Sequence, residues 1–438
     1  MIPGVARATG GLQRMRMRVD GPIPLVRTLR RRLARPVYRV FEWARLPVSA
    51  KTAVWRDLWG PSVHDPGADA AIDDGVQWLS LAQDRSASGD GGVARHFSLL
   101  TGWSTSYPET TGYIVPTMLD YAGLRGLTAA KQRARRMLDW LLSIQFPDGG
   151  FQGGLIDSKP VVPVTFNTGQ ALLGLAAGTA HFGDDRYRQG MSRAADWLVK
   201  TQDADGCWRK YPTPFAAPGL KTYETHVAWG LLEAARLEPD KPYAAAALAN
   251  VRWALTHQRK NGWFGHCCLT DPSRPLTHTI GYVLRGVLEA HRFTRDPVLL
   301  QAAERTAESL LTALQEDGHL PGRLTENWAG AVRWACLTGS AQIALCWLLL
   351  YQDTGEIRYR DAAYAVNRYL RRTVKLRGPS ATRGAIKGSF PVGGEYGPYQ
   401  YLNWACKFFV DANMLELTVR QHSGMTERPR RRPRGETN

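Results

Sequence analysis

The sequence contains no apolar run of the roughly 18 residues that a membrane-spanning helix requires. The longest candidate, 343–351, is short and follows directly on Gln342. No apolar stretch of signal-peptide length follows the basic start, so secretion is not expected. Six Cys in 438 residues do not make a disulfide framework, and Cys336, Cys346 and Cys406 fall in apolar helical stretches, as small buried thiols do. Pro, Ser and charge are too sparse for a mostly disordered chain. At 44% hydrophobic and 22% charged residues, the protein can instead bury a large core. Together these absences point to the cytoplasm.

The charge is unevenly placed. Residues 1–45 carry eleven Arg, no Lys and two acids (Asp20, Glu42), a net +9. Residues 420–438 carry six Arg against Glu427 and Glu436, a net +4, which leaves +4 of the total +17 for the body. The basic ends suit solvated tails or peripheral contact with anionic lipid. Specific nucleic-acid binding is not expected, because no recognised reader motif accompanies the Arg runs. Val26, Leu29, Leu33 and Val37, interleaved with Arg27, Arg30, Arg31 and Arg35, read as a short basic amphipathic helix, fit to lie on a membrane surface or to pack on the body.

Periodicity carries most of the information. One phrase recurs as Trp78-Leu79 to Gln83, Trp140-Leu141 to Gln145, Trp197-Leu198 to Gln202, Trp253-Ala254 to Gln258 and Leu310-Leu311 to Gln315, with a degenerate copy at Tyr369-Leu370. The intervals are 62, 57, 56, 57 and 59 residues, and each copy closes an amphipathic helix such as 130–145 or 187–202. A second series interleaves with it: Thr111-Gly112, Thr168-Gly169, Thr225-His226, Ile280-Gly281, Thr338-Gly339 and Asn403-Trp404. Each of these opens a helix that is apolar on more sides, the mark of a buried helix. Six outer helices alternating with six inner ones predict an all-α (α/α)6 toroid over residues 50–419, between a basic segment, 1–49, and an Arg-rich tail, 420–438.

Links from inner to next outer helix are short, whereas those from outer to inner (85–109, 146–166, 203–222, 259–277, 316–331, 375–400) are long. Long loops in a compact domain tend to be functional. All six fall on one rim, above the inner-helix N-termini, so a site is expected in the cup beneath.

Gln145-x3-Gly149-x-Phe151, Gln202-x3-Gly206-x-Trp208 and Gln258-x3-Gly262-x-Phe264 resemble the repeat of the squalene cyclase and protein prenyltransferase superfamily. The resemblance implies the toroid more than a reaction. Cyclases of the squalene type protonate their substrate from an Asp-rich cluster on the cup wall, whereas Asp73-Asp74 and Asp184-Asp185 fall on the wrong face here. The prenyltransferase zinc pattern is missing as well. His266-Cys267-Cys268 with His278 could bind zinc, but adjacent Cys chelate poorly, and a packed loop is the expectation; no metal or cofactor is expected. The unit Leu337–Gln342 with Tyr351–Ala363 is similar to the helical domain of uronate C5-epimerases and unsaturated glucuronyl hydrolases.

Position by position, the rim would bring Glu109 and Tyr113 from the first inner helix, Asn167 from the second, Tyr223, Glu224 and His226 from the third, and His278 and Tyr282 from the fourth. The fifth would add Glu326, Trp328 and Arg333, and the last Tyr399, Asn403 and Trp404. Rings stack on sugar faces while Asn and Glu bind hydroxyls, so this mixture suits an oligosaccharide or polysaccharide better than a polyene. Glu224 beside His226, with His278 and Glu326, forms the expected catalytic set, and the remaining residues would bind substrate. A hydrolase would use two of the Glu residues; a lyase or epimerase would use a His or Tyr base to remove the proton alpha to a substrate carboxylate. Two alternatives stand beside this reading: an isoprenoid-handling enzyme, and a non-catalytic glycan-binding or scaffold toroid.

Overall fold

The computed structural model describes residues 43–422; segment 26–37 and the Arg-rich end beyond residue 422 lie outside them. The chain divides into two units, Met1–Lys51 and Thr52–Asn438, and the helical ring belongs to the second. The helices are α1 (Val48–Asp57), α2 (Ala68–Asp84), α3 (Pro108–Arg125), α4 (Thr128–Ile144), α5 (Thr165–Phe182), α6 (Asp185–Thr201), α7 (Thr225–Leu237), α8 (Tyr243–Leu255), α9 (Thr277–Thr294), α10 (Pro297–Ala313), α11 (Leu337–Thr354), α12 (Ile357–Thr373) and α13 (Asn403–His422).

Helix ends set the alternation. Inner helices α3, α5 and α11 stop at Gly126, Gly183 and Gly355, all in the left-handed conformation. That geometry satisfies a terminal carbonyl and turns the chain sharply. The next outer helix then starts almost at once: the Asp184 carboxylate caps α6 by accepting from the Arg186 amide at 2.9 Å, and Asp296 caps α10 in the same way through Val298. Burial follows the expected division. Fourteen of the eighteen residues of α5 are buried, against eight of seventeen in α6, on one stripe that includes Tyr187, Met191, Ala194 and Leu198.

The inner helices α3, α5, α7, α9, α11 and α13 pack successively, and α13 returns to α3, closing an (α/α)6 toroid. Small residues let them approach. A Cβ on Gly112 would meet the Ala171 Cα at 2.5 Å, and one on Gly174 the Gly112 carbonyl oxygen at 2.3 Å. Five outer helices each pack on the inner helix preceding them in the chain; the sixth, α2, packs on α13. The ring is thus closed by the two ends of its own sequence.

The Gln-x3-Gly-x-aromatic repeat proves to be a clamp between consecutive outer helices. Gln145 Nε2 donates to the Gly149 carbonyl at 3.0 Å and to the Gly190 carbonyl of α6 at 2.9 Å. Gln202 does the same with Gly206 and Ala246 of α8, and Gln258 reaches Ala302 and Thr306 of α10. The repeat glycine is forced: Gly149 has φ 105° and lies so close to α6 that a Cβ would collide with the Arg193 backbone carbonyl. Phe151, Trp208 and Phe264 are buried.

The rim loops hold more order than the sequence indicates. Strands β1 (His96–Ser98) and β2 (Gly102–Trp103) form a hairpin, and β1 pairs with β5 (Gln400–Leu402), which lies 300 residues away in sequence. Strands β3 (Ala335–Cys336) and β4 (Ser389–Phe390) pair separately. Among the described residues no helix is long and apolar enough to cross a membrane.

Candidate active site

The rim encloses a cavity of about 170 Å³, lined by first-turn residues of inner helices and by side chains from the loops. Glu109 comes from α3, Phe166 and Asn167 from α5, Tyr223 from the turn before α7, His278 and Tyr282 from α9, and Trp404 from α13. Arg95, Tyr107, Phe215 and Tyr396 reach in from loops.

Its walls are aromatic. Tyr282 sits 5.1 Å from Phe166 and 4.4 Å from His278 between ring centroids. Tyr396 stands 5.3 Å from His278 and accepts from the Trp404 indole at 2.8 Å. The Arg95 guanidinium lies 4.8 Å from the Trp404 ring centre and donates to His96 Nδ1 at 3.0 Å and to Gln400 at 3.3 Å. A cation over an aromatic face is held in place while its remaining N–H groups stay available.

Two titratable groups on this wall are moved in useful directions. Burial pushes the Glu109 carboxyl up to about 7, against the Tyr107 hydroxyl, which donates to it at 2.7 Å, and the Arg95 charge, both of which lower it. Burial holds His278 down at about 4, against its bond to Gln342. The partner of His278 Nδ1 is the Gln342 amide oxygen at 2.8 Å, so Nδ1 carries the proton and Nε2 keeps a lone pair. A carboxylic acid and a neutral imidazole therefore share one cavity between about pH 4 and pH 7. Asn167 adds a buried side-chain N–H without a partner, a donor group of the kind a ligand oxygen satisfies.

The other candidates lie elsewhere. His226 and Tyr113 are fully buried beneath the cavity. His226 packs 4.4 Å from Tyr282 and bonds Gln170 through Nδ1 at 2.7 Å, leaving Nε2 unpartnered; burial holds it far below its ordinary range. Tyr113 packs on Phe408, 5.4 Å away. Asn403 is a tie rather than a wall: its amide donates to the Ala94 carbonyl and Thr110 hydroxyl. Tyr399 sits in the last loop at φ 60°, its amide bonded to Val392.

Glu224, expected beside His226 in the cup, does not line the cavity. It is buried under the loop after α6, where the charges of Lys221, Arg209 and Asp203 act on it, and burial raises its carboxyl to about 8. Residues two apart at a helix start point about 200° apart, so these two side chains emerge on opposite sides. The fifth loop also departs from expectation. It folds back on itself, with the Ala331 amide bonded to the Arg323 carbonyl, which leaves Glu326 exposed and paired with Arg259. Trp328 is buried against Trp263 with centroids 5.2 Å apart, at φ 63°, and Arg333 is exposed. Cys267 and Cys268 are buried separately from the cavity-facing His278, and no metal-ligating cluster is found among the described residues.

Arg95, Tyr107, Phe166 and Phe215 were not among the expected residues. Phe166 lies in the first turn of α5, next to the expected Asn167; the positions of Arg95, Tyr107 and Phe215 depend on loop folding, and the one sequence signal pointing to them is the length of the loops.

The profile of the squalene-hopene cyclase C-terminal domain family matches residues 68–286, half of the chain. The chain belongs to that family. The match spans the three repeats that clamp outer helices together, ending within α9. No curated protein sequence matches significantly. Solved structures similar in fold include an unsaturated glucuronyl hydrolase specific for heparin (17% identity, TM-score 0.66, 82% of this chain and 99% of that one). A cellobiose 2-epimerase from Bacillus thermoamylovorans is also similar (11%, 0.62, 84% and 98%), as is a D-mannose isomerase (12%, 0.63, 80% and 97%). At such identities the likeness shows the toroid.

Proposed function

We infer that this toroid is a carbohydrate-active enzyme that moves protons on a sugar unit of an oligosaccharide or polysaccharide held in the rim cavity. The observation that carries this reading is the pairing of Glu109, protonated up to about pH 7, with His278, neutral above about pH 4, on one aromatic wall. Toroids of similar fold that act on a glucuronide, cellobiose and mannose support it. Hydrolysis by paired carboxyls needs two of them roughly 5–9.5 Å apart. Glu109 is the carboxyl on this cavity wall among the described residues, whereas Glu224 and Glu326 lie away from it. That favours epimerisation or elimination over two-carboxylate hydrolysis.

In this scheme His278 Nε2 removes the proton alpha to a carbonyl or carboxylate, and Glu109 returns a proton to the resulting enolate or to a departing oxygen. Arg95 would neutralise a substrate carboxylate, which makes a uronate the preferred sugar. Tyr282, Tyr396 and Trp404 would supply stacking surfaces, and Asn167 a bond to a hydroxyl.

The test is turnover of uronate-containing oligosaccharides in deuterium oxide, read as deuterium gained at the carbon alpha to the carboxylate or as an unsaturated product. Glu109→Gln and His278→Asn should each cost on the order of 10² to 10⁴ in rate. Unchanged turnover in both variants would place the chemistry elsewhere. The family match favours a second reading, an isoprenoid substrate on the same aromatic wall. Thermal stabilisation by a prenyl diphosphate, with none by any saccharide, would replace the first reading with the second.

A further inference from the structure

A helix lying on a protein surface normally turns one face inward and a polar face to water. The end of α1 and the turn that follows it, residues 53–63, do not. Ala53 and Asp57 face inward, where the Asp57 carboxylate accepts from Lys387 Nζ at 2.6 Å and from the Val392 amide at 2.8 Å. Outward, Trp55, Leu58 and Trp59 are 62%, 67% and 79% exposed, and Val63 follows at 97%. The two indoles meet edge to face at 6.5 Å. Arg56 between them is exposed, and no exposed acid occurs from residue 52 to residue 64. Four large apolar side chains within nine residues make a patch of the kind that marks an interaction surface.

We propose that this patch, at the end of α1 and the turn after it, docks on an anionic lipid bilayer. Charge selects the occupant. The patch carries Arg56, and residues 1–45, immediately upstream in sequence, add a net +9. A second copy of the same surface would bring like charges together, whereas an anionic leaflet attracts them. Indoles prefer the boundary between headgroups and acyl chains, where the ring is buried and the N–H stays wet. Stable peripheral attachment takes two signals, insertion and a basic segment, and this end of the chain carries both.

The test is co-sedimentation of the full-length protein with vesicles of phosphatidylcholine, alone or with roughly 30% phosphatidylglycerol. Binding is expected on the anionic vesicles, with loss at about 0.5 M salt, where screening shortens to a few ångströms. Trp55→Ser/Trp59→Ser should weaken it at least about tenfold with an unchanged melting curve, and Leu58→Glu should do the same. No binding to anionic vesicles, equal binding to the neutral ones, or wild-type affinity in both variants would overturn the proposal. A dimer in solution that dissociates in the Trp variant, without vesicle binding, would assign the face to a second copy instead.

Discussion

The Tyr107 hydroxyl donates to Glu109 Oε2 at 2.7 Å, so a residue just outside the first turn of α3 helps set the proton affinity of the cavity's carboxyl. The bond favours the ionised form and opposes burial, which is the larger effect. Removing the donor lets burial act with less opposition. In Tyr107→Phe the Glu109 pKa therefore rises above its value of about 7. If Glu109 works as an acid, activity falls as pH rises through that pKa, and the alkaline limb of the kcat profile should move to higher pH in the variant. A limb that stays in place would separate Glu109 from the proton step.

Glu224 supplies a stability prediction of definite sign. Its folded pKa of about 8 lies above its unfolded value, so between roughly pH 4.5 and 8 the native state keeps a proton that the unfolded chain has released. Stability contributed by this group is full at low pH and is lost as pH rises through the folded pKa, at roughly 1.4 kcal/mol per unit. Glu224→Gln has no such slope. Its melting temperature, relative to wild type, should climb steadily from pH 5 to 8; a constant difference would show that Glu224 is ionised in the native state.

The clamp between outer helices gives a third prediction. Gly149→Ala combines a left-handed φ with a methyl group driven against the Arg193 backbone of α6. A loss above about 2 kcal/mol is expected in urea denaturation. Gly183→Ala also carries positive φ, but its Cβ would meet nothing within 4 Å, so it should cost only about 1 kcal/mol. Equal losses would mean that the close approach between α4's loop and α6 contributes nothing.

How far these features could be read in advance depended on their range along the chain. The toroid was legible because its clamp is local and repeated: Gln145, Gly149 and Phe151 recur in register with Gln202, Gly206 and Trp208. Helix starts were legible too, which is how Glu109, Asn167, Tyr223, His278, Tyr282 and Trp404 came to be named, all residues that line the cavity. The side on which a first-turn residue emerges was not legible, and Glu224 and His226 diverge for that reason. Nor was loop folding. The pairing of His96–Ser98 with Gln400–Leu402 brings Arg95 beside Trp404, and nothing local in either segment announces a partner 300 residues away. The fifth loop closes on itself through Arg323 and Ala331, so Glu326, Trp328 and Arg333 could not be placed by counting from α11.

The closure of the ring by α2 and α13 bears on how the protein is made. During synthesis five helix pairs emerge while the groove meant for α13 is still open, and α2 waits for its partner until the last inner helix is released. That helix also carries Trp404, and the strand just before it holds Arg95 in the rim. A nascent or truncated chain ending before Asn403 would therefore lack both the last stave of the barrel and one wall of the cavity. The last wall of the cavity and the circular closure of the ring would be acquired together, once α13 has emerged.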